Sequence, residues 1–202
     1  MHGMVPTGLR ERKKWENHRA LSLAAQELVH ARGLERVTIE HIAAAAGVSE
    51  RTFFNYFSGK DEALVGVEPM ALATLADDLR RRPPTEGPAA ALRAVLLADV
   101  DPDGLLRRWK LRNELVRTYP QLLPRHLLSM VQVEEALTAA LAERLAVDPS
   151  VDSQPRVLVA AALAVVRSTL AWWSDVSDHR TPLLEVLEHT YDQFIVDHPR
   201  TP

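Results

Sequence analysis

Apolar side chains recur along this chain at helical intervals. Leu21, Ala24, Ala25, Leu28 and Val29 fall on one stripe of a helix predicted over 10–32, which Gly33 stops. The same periodicity predicts a long connecting helix over 59–82, closed by Pro83-Pro84, and further helices near 88–99, 103–118, 121–146, 154–177 and 182–197. The breaks between them are Asp101-Pro-Asp-Gly, Tyr119-Pro, Asp148-Pro-Ser and His179-Arg-Thr-Pro. No segment alternates with period two long enough to argue a strand, and no repeat or low-complexity tract interrupts the pattern. The chain therefore reads as all-α, with about nine helices.

Residues 38–60 carry the densest local signals. Thr38, Ser49 and Ser58 each precede a helical stretch, where a hydroxyl can accept from an otherwise unpaired backbone N–H, so three helix starts are predicted. Gly47 can supply the positive φ of a sharp corner between the first two helices. Small side chains at Ala43 and Ala46 permit close approach, and Ile39, Ile42 and Val48 provide the apolar contact that fixes the crossing. On the second helix Phe53 and Phe57 point one way as core anchors, while Arg51, Thr52 and Asn55 cluster opposite, flanked by Phe54 and Tyr56. Arg51 and Asn55 suit bidentate bonding to guanine and adenine edges in a major groove. Thr52, Tyr56 and Lys60 are placed to hold phosphates.

Over about Arg10 to Leu64 this pattern resembles the TetR family of transcriptional regulators. The resemblance runs through Leu21-Ser-Leu-Ala-Ala-Gln-Glu-Leu, Gly33, Thr38, Ile42-Ala, Ala46-Gly-Val-Ser49, Thr52-Phe-Phe-Asn-Tyr-Phe57 and Lys60. It implies a three-helix helix-turn-helix DNA-binding domain over 10–58 and a larger helical ligand-binding and dimerisation domain over 59–198. It also implies that Thr38, Ser49, Arg51, Thr52, Asn55, Tyr56 and Lys60 face DNA. Phe54 departs from the tyrosine of many members, which removes a phosphate bond from that position. Glu50 either favours cytosine edges or serves the helix start.

Net charge changes the picture only when the chain is divided. Its 202 residues are 47% hydrophobic, with mean hydropathy −0.12 and formal charge −3, enough apolar content for a full core. Residues 1–66 hold nine Lys/Arg against eight Asp/Glu, net +1, and the remainder is net −4. Within the first part Arg10, Arg12, Lys13, Lys14 and Arg19 form a basic arm that can follow phosphates or enter a minor groove. The absence of cysteine excludes disulfides and thiolate metal sites. The longest apolar run, Val157–Val166, is ten residues, too short to span a bilayer, and Met1–Gly8 lacks the features of a signal peptide. A cytoplasmic protein with no membrane partner is expected.

The last two helices demand cover. Residues 157–173 are apolar nearly all round, and 183–195 carry Leu183, Leu184, Val186, Leu187, Tyr191, Phe194 and Ile195. Pairing with a second copy into a four-helix bundle supplies that cover, and a two-fold dimer predicts an inverted-repeat operator in double-stranded DNA. Candidate ligand contacts are Trp109, Arg112, Arg167 and Trp172, beside the alanine-rich positions 160–164. Arg167 interrupts an apolar helix, where it either meets an acidic ligand group or pairs with Glu134 or Glu135. Leu111–Pro120 and Leu141–Pro149 resemble a TetR subgroup linked with acyl-CoA-like ligands, which implies a small-molecule effector of that kind. Ligand entry would tilt the continuous helix over 59–82 and mis-space the two readers, releasing the operator of a repressor.

Two other function classes leave their own marks on a helical sequence. A helical-bundle metalloenzyme needs Glu-x-x-His twice, and only Glu27-Leu-Val-His30 has that spacing; no metal site, cofactor or catalytic residue is expected. A DNA-architectural or ligand-storage protein without regulation predicts little operator preference.

Overall fold

The computed structural model describes residues 9–67, 69–98, 102–176 and 181–196. Among them ten α-helices form: α1 Leu9–Arg32, α2 Ile39–Ala45, α3 Glu50–Phe54, α4 Lys60–Val65, α5 Pro69–Arg81, α6 Pro88–Leu96, α7 Pro102–Thr118, α8 Leu123–Leu145, α9 Gln154–Asp175 and α10 Leu183–Phe194. Single 3-10 turns lie at Leu34–Arg36 and Pro120–Leu122, and no described residue is in a strand. The packing separates two compact units, one holding the described residues up to 71 together with 108–132, the other 72–107 together with 133–196.

The first unit is built on α1. Leu21, Ala25 and Val29 are fully buried on its stripe, against Ile42 of α2, Phe53 of α3, Ala63 to Val65 of α4, and Leu115 and Leu122 from farther along the chain. His18 and Gln26 share this stripe by their i+3 and i+4 spacing and are buried too. Gln26 Nε2 donates to Leu64 O and Ser22 Oγ to Ala63 O, both at 2.7 Å, so α1 satisfies two of the carbonyls that the C-terminus of α4 leaves unpaired.

A single helix over 59–82 does not form; α4 stops at Val65 and α5 begins at Pro69. Gly66 turns to extended backbone (ψ 160°) while its N–H still donates to Glu62 O, and a Cβ there would lie 2.3 Å from that oxygen. Pro69 cannot donate the N–H that would continue the ladder. Ser58 also departs from expectation. Its backbone N–H and hydroxyl donate to Glu62 Oε2 at 2.8 and 2.6 Å, and the cap position falls to Gly59, with no side-chain cap bond.

In the second unit α9 packs on α6 and α10. Tyr191 is buried and its hydroxyl donates to Ala89 O at 3.1 Å, while Arg93 pairs with Glu188 and Asp192, fixing α6 to α10. Arg144 of α8 donates to Arg82 O and Glu86 O at 2.6 Å each and so braces the Pro83-Pro84 turn after α5. α9 is long and apolar enough to cross a membrane by length and composition, beyond what the uninterrupted run Val157–Val166 indicates. Arg167 stands exposed near its middle, a position that is costly in hydrocarbon.

Candidate nucleic-acid interface

The corner between α2 and α3 is held from both ends. Thr38 Oγ1 accepts from His41 N at 3.2 Å, and His41 Nδ1 accepts from Thr38 N at 3.3 Å, a reciprocal capping box with histidine in the place usually taken by glutamate. Ser49 Oγ accepts from Thr52 N at 3.2 Å and lies 2.9 Å from Thr52 Oγ1. Gly47 has φ +69°, and a Cβ there would meet nothing within 4 Å, so glycine is needed for its backbone and not for space.

α3 is short, and residues 55–57 continue it as turns bonded to Thr52 and Phe53 carbonyls. Phe53 and Phe57 are buried, their ring centroids 5.4 Å apart, and His18 of α1 stacks on Phe57 at 4.3 Å. With those anchors inside, Arg51 and Asn55 are exposed and Thr52 is half-buried. The geometry thus presents a guanidinium and a carboxamide side by side to solvent, the two groups best suited to reading purine edges. Phe54 is 55% exposed on the same element, and Glu50 lies exposed in its first turn, where the helix dipole favours a carboxylate.

The phosphate candidates have other attachments as well. Tyr56 Oη accepts from Asn17 Nδ2 at 3.2 Å, and Lys60 Nζ donates to Leu34 O and Val37 O. Lys60 therefore keeps one of its three donors for another partner. Lys13 and Lys14 are exposed on α1, whereas the side chains of Arg10 and Arg12 lie outside the described residues, as do residues 1–8.

Behind this surface lies a polar cluster that spacing along the chain does not announce. Glu62 accepts from Ser58 and from Arg125 of α8. Burial pushes its carboxyl pKa up, but the Ser58 bonds and the charges of Arg125 and His18 outweigh burial and hold it below the usual range. Tyr119 Oη accepts from Leu34 N at 3.3 Å, in the turn that opens the α2–α3 pair. His18 was legible from its place on the α1 stripe; Arg125 and Tyr119 come from distant sequence, and only the fold brings them here.

The four candidate ligand contacts divide between the two units. Trp109 and Arg112 lie on α7, each partly exposed, in the unit that holds α1 to α4. Arg167 and Trp172 are exposed on α9 in the other, and no described ion pair joins Arg167 to Glu134 or Glu135. Trp172 lines a groove of about 480 Å³ with Val165, Thr169, Val186 and Phe194.

Residues 23–65 match the family described as bacterial regulatory proteins, tetR family, and residues 83–197 match the MftR C-terminal domain family. The chain is 38% identical over 176 residues to the HTH-type transcriptional regulator TcmR of Streptomyces glaucescens, an alignment covering 82% of this chain and 76% of that protein. Among solved structures, Thermus thermophilus FadR, a TetR-family repressor in complex with lauroyl-CoA, is similar at 25% identity and a TM-score of 0.48, over 92% of this chain and 98% of that one. A tetR-family regulator from Streptomyces coelicolor is similar at 23% identity and a TM-score of 0.47, over 93% and 80%.

Proposed function

Because the chain belongs to the tetR family of bacterial regulatory proteins, and is a DNA-binding transcriptional regulator and not an enzyme, we propose that it is a ligand-responsive repressor acting in the cytoplasm. It binds an inverted-repeat operator as a homodimer and is released by a small apolar or acyl-CoA-like effector. The observation that carries the DNA side of this reading is the exposed pair Arg51 and Asn55 on a corner braced by two caps and two buried phenylalanines. Arg51 and Asn55 read base edges, while Thr38, Ser49, Thr52, Tyr56 and Lys60, with Arg12 and Lys13 of the α1 arm, hold the backbone.

Support for a homodimer comes from α9 and α10. Val157, Trp172 and Phe194 are 62%, 55% and 66% exposed, and with the apolar groove between the two helices they make a surface that a second copy would cover. Support for an acyl-CoA-like effector comes from the resemblance of Leu111–Pro120 and Leu141–Pro149 to the subgroup linked with such ligands, with Trp109 and Arg112 of α7 as candidate contacts; Arg167 and Trp172 are exposed on α9, the helix proposed to meet the second copy.

Selection of bound fragments from random DNA, repeated with acyl-CoA compounds present, tests the whole reading. Recovery of one inverted repeat, lost when the effector is added, is expected. Retention of all sequences alike, with a steep salt dependence, overturns it in favour of an architectural protein.

A further inference from the structure

Among the described residues, three arginine Nε atoms are buried without a hydrogen-bond partner: those of Arg93, Arg125 and Arg112. The first two belong to guanidiniums already neutralised, Arg93 by Glu188 and Asp192 and Arg125 by Glu62. Arg112 differs. None of the described ion pairs or hydrogen bonds includes its side chain, and the charged neighbour it senses is another cation, Arg108. The side chain on α8 that senses Arg112 is His126, whose Nδ1 is also buried without a partner. Burial first, and then the Arg112 charge, hold the His126 imidazole below its ordinary pKa.

A cation whose Nε is shut off from water, with another cation as the charge it senses, destabilises a fold, and proteins retain such groups where something outside the chain completes them. We propose that Arg112 and His126 form the receptor for an anionic group of the effector, a carboxylate or a phosphate, between α7 and α8. This rests on the ligand-responsive reading above and names the chemistry its effector must carry. The guanidinium offers a planar fork to the anion, and Nδ1–H of His126 adds a donor on the facing helix.

The position is suited to control. One turn along α7 from Arg112, Leu115 is buried in the core that holds α1 to α4; four residues before His126, Leu122 of the 3-10 turn that leads into α8 enters the same core, and the neighbouring Arg125 grips Glu62. An anion that draws α7 and α8 together therefore acts on residues already locked to the DNA-reading helices.

The full-length protein tests this with dodecanoate, dodecyl phosphate and uncharged dodecanol, and with acetate and inorganic phosphate as tail-free probes. The His126 imidazole pKa, followed by NMR, is expected to rise with at least one anion and not with dodecanol, and whether carboxylates or phosphates act separates the two sources. Arg112→Met is expected to weaken the active anion at least tenfold and to leave operator binding intact. Without ligand, the same variant is expected to melt about 2–4 °C higher, because a cation with a buried, unsatisfied Nε is gone. The proposal is overturned if no anion moves the His126 titration, or if Arg112→Met melts lower without ligand, which would reveal a carboxylate of the chain as its partner. Loss of operator selection by the unmodified protein would instead sink the regulator reading itself.

Discussion

Lys60 Nζ donates to Leu34 O at 2.6 Å and to Val37 O at 2.9 Å, joining the start of α4 to the turn that leads into α2. Two carbonyls that no helix or strand satisfies are thereby paired with a cation. Lys60→Met is expected to cost about 1.5–3 kcal/mol of stability, the usual worth of bonds to a charged donor, read by urea unfolding. Its remaining N–H is free for a phosphate, so the variant should also weaken binding to every DNA sequence alike and flatten the salt slope by about one.

Base readout predicts a different signature at Arg51 and Asn55. Replacing either by alanine should relax preference at particular operator positions by roughly 1–3 kcal/mol each while leaving the melting temperature unchanged, since both are exposed. Competition between operator variants in a binding assay measures this; uniform weakening would assign both residues to phosphates.

Acid sensitivity should trace to His18. Burial against Phe57 lowers its pKa from 6.5 to about 4, with Lys14 adding to the effect and Glu62 opposing it. The folded protein thus prefers the neutral ring, and in that window the unfolded chain binds more protons. Stability is full above pH 6.5 and falls as pH drops from there toward about 4, by roughly 2–3 kcal/mol. Glu62, whose pKa is depressed, adds a further loss below the ordinary carboxyl range. His18→Leu should flatten the first slope in urea titrations at pH 4–7 and leave the second.

Ala146, just past the end of α8, sits at φ +53° with Val147 N bonded back to Ala142 O. That left-handed position favours glycine and strains any other side chain. Ala146→Gly is expected to stabilise the protein by about 1 kcal/mol, visible as a higher melting temperature.

The exposed apolar strip on α9 and α10 gives a test of assembly. Trp172→Glu places a charge in the groove with Val186 and Phe194, and light scattering should then report a monomer that folds normally but loses cooperative operator binding.

Helix existence and the capped corner were legible because they depend on short-range rules: Thr38 and Ser49 cap as hydroxyls do, Gly47 turns, and Phe53 and Phe57 are buried at i, i+4. The break in the connecting helix was written in Gly66 and Pro69, three residues apart, but the apolar periodicity on both sides masks it. Ser58 follows the capping pattern, yet its hydroxyl donates to the Glu62 carboxylate one turn on and does not cap the helix. Arg125, Tyr119 and His126 carry no local signal, since their roles arise from pairings 63 and 85 residues away or from the lack of any partner.

The hydroxyl of Tyr119 rests on Leu34 N, and Leu115 and Leu122 fill the same apolar centre as Phe53. The DNA-contacting head is thus stitched from two stretches of chain separated by some forty positions, roughly the length left between 71 and 108. A fragment ending at residue 58 would lack Ala63 to Val65 and both leucines, leaving Val29 and Ile42 facing water. Grafting such a fragment onto another sensor should yield an aggregating polypeptide; a working chimera would have to carry the 108–132 hairpin along with it.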